Sequence, residues 1–162
     1  MSRIHHHTLS LKELVERSSC VVSVVKEEPF INRQAIDITP LRRKVLGKTC
    51  PPFIRMIFHF TVVDVLSDTP DVKRGDSLAV SAPEWEARLR QHKRYHLDGR
   101  SISPIAVTYQ KTTRYPEKDE FLIFLRKHGH RYELAAEGAY ETLSQKEHIC
   151  DLLASRQKID GG

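Results

Sequence analysis

His92 and His96 lie four residues apart, a spacing that on a helix turns both imidazoles to one side and could hold a divalent metal. A zinc peptidase would place a glutamate directly after the first histidine, whereas this chain has Lys93, and neighbouring cations disfavour a bound metal. The pair reads as part of a solvated helical face, and neither metal nor cofactor is expected. Gly47-Lys48-Thr49 matches the end of a phosphate-binding P-loop, but the glycine required five residues before Gly47 is replaced by Arg42. The chain has no Gly-x-Gly pair for a dinucleotide and no Gly-x-Ser-x-Gly elbow to expose a serine nucleophile. His59 is expected to be a hydrogen-bonded structural residue, His128 and His130 surface residues beside a turn glycine, and His5 to His7 an adventitious metal binder. Glu117, Asp119 and Glu120 read as a solvated turn, not as paired catalytic carboxylates, and Gly161-Gly162 as a frayed end. Three widely spaced cysteines, Cys20, Cys50 and Cys150, lack a Cys-x-x-Cys pair; they are expected to be reduced, with Cys20 and Cys150 in apolar surroundings. No enzyme is expected from this inventory.

What remains is a basic set. Arg42, Arg43 and Lys44 fall in an irregular stretch, and Arg88, Arg90, Lys93, Arg94 and Arg100 surround a helical pattern that also holds Trp85 and Tyr95. The chain carries a net charge of +5. Three readings stand: a solvated face, a surface for an acidic protein partner, or a groove for single-stranded nucleic acid. An aromatic fraction of 7 % gives few platforms for stacking bases.

The elements that must position these residues come from periodicity. With 40 % hydrophobic and 29 % charged residues in 162, the composition is that of one folded domain over 1–162, with loose ends at 1–8 and 158–162. No segment approaches the ~20 apolar residues of a membrane span, so the protein is expected in the cytosol, away from membranes. Ser10 and Glu13 form a capping box opening a short helix, and Cys20 to Val25 is a β-branched strand. Residues 28–52, interrupted by Pro29, Pro40, Pro51 and Pro52, read as a long basic excursion with one strand around Gln34 to Thr39.

From Phe53 to Leu66 apolar residues alternate with period two, and the phase switches after Val62, as one extra residue at a bulge would cause. Fourteen residues at ~3.3 Å make a strand of about 46 Å, which must bend and can serve both halves of a small barrel. Ser77 to Ser81 is a short strand, and Glu84 to Leu97 a basic amphipathic helix ending near Gly99 with Trp85 toward the core. Ile105, Val107 and Tyr109 alternate, and Phe121 to Leu125 is apolar on both faces and so covered on both. Arg131 to Leu143 is a strand with one wet face, and Ser144 and Glu147 a second capping box before a closing helix.

This succession, with Phe60-Thr61-Val62-Val63-Asp64-Val65-Leu66, the Gly75-Asp76 turn into Leu78-Ala79-Val80, and Glu120-Phe121-Leu122-Ile123-Phe124-Leu125, resembles the netrin-like family over roughly Cys20 to Leu143. The resemblance implies an OB-type barrel with helices packed on it. The cysteine framework and processed amino-terminal cysteine of the metalloproteinase inhibitors in that family are absent, so their zinc-directed inhibition is not implied. The expected fold is therefore mainly β with flanking helices: an OB-like, partly open antiparallel barrel of five to six strands with N-terminal, middle and C-terminal helices. The expected function is non-enzymatic binding of an acidic protein partner, of inhibitor or immunity type, through the basic set. Single-stranded nucleic-acid binding is the alternative.

Overall fold

One sheet curls until its first and last strands meet. The computed structural model describes residues 5–100, 105–110, 116 and 119–160. Along the chain come β1 (His5–Thr8), α1 (Leu11–Arg17), β2 (Cys20–Ile36), α2 (Leu41–Val45), β3 (Phe53–Val65), β4 (Ser77–Ser81) and α3 (Trp85–Asp98). They are followed by β5 (Ile105–Thr108), β6 (Glu120–His128), β7 (Arg131–Leu134), β8 (Tyr140–Glu141) and α4 (Lys146–Asp160). The strands run in the order β2-β3-β4-β7-β6, and β6 pairs back onto β2, closing a five-stranded barrel to which β8 adds an extra strand. Neighbours in it are antiparallel except β4 and β7, which run parallel with Val80 opposite Tyr132. The fold is thus mainly β with flanking helices and OB-like, closed where a partly open barrel was expected.

The long third strand behaves as its periodicity requires. Val24 pairs with Val62 while Ser23 pairs with Asp64, which leaves Val63 as the extra residue of a bulge and explains the phase switch. One edge of β3 lies along β2 and the other along β4, so this ribbon joins two walls of the barrel. Val22, Val24, Phe58, Phe60, Val62, Val80, Phe121, Ile123 and Leu125 fill the interior. On the outside, Val21, Leu122 and Phe124 are buried against Leu14 and Val15 of α1 and Ile149 and Leu153 of α4. Phe121 to Leu125 is accordingly covered on both faces, and each such side chain contributes about 1.5–3 kcal/mol by leaving water.

Several local expectations are corrected. β2 does not stop near Val25 but continues to Ile36 along β3, with an irregularity between Lys26 and Ile31, so only 37–52 remains outside the sheet. His5–Thr8 is not loose in backbone, since it forms a parallel ladder with Ile105–Thr108, and α4 runs through residue 158 to Asp160. The strand read over Arg131 to Leu143 breaks into β7 and β8. Gly138 sits at φ +68, and a side chain there would come within 2.5 Å of the Gln110 carbonyl, so this point holds a close crossing instead of a regular strand. The capping box at Ser10 forms, with Ser10 N–H donating to Glu13 Oε1 at 3.1 Å and Glu13 N–H to Ser10 Oγ at 3.2 Å. The second does not: Ser144 Oγ bonds Thr142 Oγ1, and a 3-10 turn at Leu143–Gln145 precedes α4. Cys20 is buried as expected, but Cys150 is exposed, because Ile149 and Leu153 take the stripe of α4 that faces the barrel. Glu117 and Gly161-Gly162 lie outside the described residues.

Candidate functional site

The basic set is divided by the fold. Between β2 and β3 the chain makes the short helix α2, which rests against the C-terminal end of α3: Arg43 Nη2 donates to the Leu97 carbonyl at 3.2 Å, and His92 Nε2 lies 2.8 Å from the Pro51 carbonyl. The fold therefore brings Arg42, Arg43 and Lys44 next to the end of α3 that carries Arg94, Tyr95 and, just beyond it, Arg100. Their roles differ. Arg43 is spent on capping α3, where a cation meets the partial negative charge of the helix end, and Lys44 pairs with Asp37. Arg88 turns toward Glu137 and pairs with it. Arg42, Arg90, Lys93, Arg94 and Arg100 are exposed without an ion pair among the described residues, and Tyr95 is exposed beside His96.

The same tip carries a feature that charge alone does not reveal. Leu41 is 76 % exposed, Val45 78 % and Leu46 71 %, all on or beside α2. Three large aliphatic side chains in water, interleaved with Arg42, Lys44 and Lys48, form a small apolar knuckle in a cationic rim. The sequence signal was present in Leu41-Arg42-Arg43-Lys44-Val45-Leu46, but the cationic residues drew the reading.

A second feature lies on the outer face of β3, β4 and β7. An open groove of about 850 Å³ runs there, lined among others by Asn32 and Gln34 of β2, Arg55 and Ile57 of β3, Ser77 and Ser81 of β4, and Arg131 at the β6–β7 turn. Gly129 shapes that turn with φ +63, a conformation that other residues adopt at a cost. The side chains outward from the alternating strands give the lining, since Gln34 opposes Arg55 and Asn32 and Ser81 oppose Ile57. Arg55 is only 5 % exposed. Its guanidinium lies over the ring of Trp85 at 3.9 Å and donates from Nη2 to Ser81 Oγ at 2.6 Å. Burial, followed by the nearby Arg131 charge, pushes its pKa down, while Glu86 opposes that shift. Trp85, expected to enter the core from α3, instead roofs this arginine; α3 has no fully buried residue among those described.

Burial pushes the phenols of Tyr109 and Tyr132 well upward, with further upward contributions from hydrogen bonds to Glu141 and Asp71. Both therefore act as neutral donors. Burial also raises Glu133 above the ordinary carboxylate range, against the lowering influence of Arg126. The rings of His92 and His96 are tilted against each other with centroids 4.4 Å apart, and no group of three metal-ligating side chains occurs among the described residues. Pairing of His92 with a carbonyl and with the Phe53 ring gives that histidine a structural use. His59 stands half-buried on the outward side of β3 opposite Ala79.

No protein-family model matches this chain, and no curated protein or solved structure matches it either.

Proposed function

We propose that the protein is a non-enzymatic binding domain that engages an acidic protein partner through the α2 tip and the adjoining end of α3. The carrying observation is the exposed knuckle of Leu41, Val45 and Leu46 within a rim of Arg42, Lys44 and Lys48. Buried on association, aliphatic side chains of this size each yield about 1.5–3 kcal/mol, while the cations steer an acidic surface to the site. Arg90, Lys93, Arg94 and Arg100 extend the positive field along α3, and Tyr95 supplies an amphipathic contact of the kind enriched in interfaces. Arg43 belongs to the scaffold, since its guanidinium holds the tip onto α3, and Arg88 is occupied by Glu137. An inhibitor or immunity-type role agrees with such a surface. Kinship with the netrin-like family is part of the same reading, supported by the barrel and its packed helices.

Single-stranded nucleic acid has less support here, because the large exposed apolar side chains of α2 are aliphatic and leave Tyr95 of α3 to offer a base its π-face. The test is a photo-crosslinking residue placed at Val45 and, as a control, at the exposed Glu147 of α4, in the native source. An acidic protein captured at 45 and not at 147, and lost on adding Leu41→Ser, is the expected outcome. Equal capture from both positions, or retention with Leu41→Ser, would refute the reading. A mixed oligonucleotide whose affinity falls steeply from ~50 to ~200 mM salt would move the assignment to nucleic acid.

A further inference from the structure

Arg55 is a buried cation that no carboxylate contacts among the described residues, Glu86 acting on it only from a distance. Beyond its bond to Ser81 and its stack on Trp85, its Nε finds no acceptor, and it forms no ion pair among the described residues. The carboxylates nearby are committed elsewhere: Glu86 to His128, and Asp71 to Lys127 and to the hydroxyl of Tyr132. Asp76, also on the groove, accepts the Lys73 backbone N–H at 2.8 Å. The other guanidiniums lining the same space are those of Arg131, whose charge acts on Arg55, and of the exposed Arg33. An isolated charge removed from water is costly unless an opposite charge and hydrogen bonds compensate it, and two converging guanidiniums add repulsion to that cost. An arrangement of this kind is completed by an anion entering the groove.

We propose that the Arg55–Arg131 end of the groove binds a small molecule bearing a phosphate monoester. A guanidinium is a planar fork whose N–H donors match the oxygens of phosphate, and two of them balance its double negative charge. Ring contact with Trp85 holds one fork in place before the ligand arrives, so less freedom is lost on binding. Farther along, the hydroxyl of Ser77, which donates to Glu27, can accept a hydrogen bond, and the amides of Asn32 and Gln34 supply donors and acceptors suited to hydroxyl groups on the remainder of the ligand. The volume lies within the range of small-molecule sites. A nucleic-acid strand is disfavoured, because the aromatic rings bordering the groove are already used: Trp85 by Arg55, and Tyr132 buried with its hydroxyl on Asp71. The groove shares no lining residue with the α2 tip and does not depend on the partner proposed for it.

Trp85 is the sole tryptophan, so its emission reports directly on the stacked arginine. The full-length protein is titrated with inorganic phosphate and with glycerol phosphate at fixed ionic strength, alongside acetate and an oligothymidylate. Saturable changes with both phosphates are expected, and Arg131→Gln should weaken them about tenfold or more through loss of a charge-assisted bond. Arg94→Gln, on the exposed side of α3, should leave them unaltered. Arg55→Met should abolish the response; if that variant fails to fold, the exposed Arg131 decides alone. No saturable change, or an Arg131→Gln response equal to that of the parent, overturns the proposal. Saturation by acetate at equal concentration overturns the choice of phosphate, and saturation by the oligothymidylate without the monoesters transfers the groove to nucleic acid.

Discussion

Two walls of the same barrel are finished in opposite ways. The wall where the first part of β2 pairs with β6 is apolar on both faces, with Phe121, Ile123 and Leu125 inside and Leu122 and Phe124 sealed outside by α1 and α4. The wall of β3 and β4 shares the apolar interior, but its outer face carries Arg55, His59, Ser77 and Ser81, and the helix beside it, α3, is basic and has no fully buried residue. Helices on the first wall are held by shed water. The helix on the second is held by a cation on a ring, a guanidinium on a helix end and a histidine on a carbonyl. Such contacts are directional and individually modest, so that side of the molecule contributes less to cohesion and leaves polar and charged groups at the surface.

Mutation can break that contrast. The largest effect is expected for Phe124→Ala, which empties a fully buried site between β6 and the two sealing helices and should cost about 3–5 kcal/mol in urea unfolding. A loss below about 1 kcal/mol would mean that the first wall does not depend on its outer seal. Next is Ser10→Ala, which removes the cap of α1 and should cost about 1 kcal/mol by the same measurement.

A smaller effect is expected where α4 reaches β3. Lys146 donates to Asp64 at 3.1 Å and, with the Val65 amide, holds that carboxyl below its ordinary value despite partial burial. A depressed carboxyl adds stability above its unfolded pKa, about 3.9, and loses it as pH falls through the lower folded value. Lys146→Met should therefore be less stable than the parent at pH 7, and the gap should close when both are unfolded in acid below that range. A gap constant with pH would remove Asp64 from the linkage. The smallest effect on folding is expected at the tip: Leu41→Ser with Val45→Ser should stay within about 0.5 kcal/mol of the parent, because those side chains are already in water. A large loss would show that α2 belongs to the cohesive part of the molecule.

The difference between the walls also decides what could be read from the sequence. Where burial is dictated by one strand's own alternation, the pattern is local and legible: the bulge at Val63, the two-sided strand Phe121 to Leu125 and the box at Ser10 all appear where expected. The second half of β2 was lost because residues 31–35 are exposed on both sides, so no burial imposes a period on them, and Pro29 reads as an interruption. Arg55 was lost for a different reason. In Phe53-Ile54-Arg55-Met56 it occupies the polar phase of an amphipathic strand, and only Trp85, thirty positions later, removes it from water. The basic residues were legible as a cluster, but not which of them were already engaged. Arg43 and Arg88 look alike in sequence to Arg42 and Arg90, and only the fold supplies Leu97 and Glu137 to occupy them.

The guanidinium of Arg156 donates to the carbonyls of Val15 and Ser18, at 2.8 and 2.7 Å, so the end of α1 is finished by a residue of α4. During synthesis, α1 and the strand that follows it must therefore wait, their last carbonyls facing water and their outer face uncovered, until α4 has emerged. Vectorial growth cannot lay this barrel down piece by piece, and assembly has to come late and all at once.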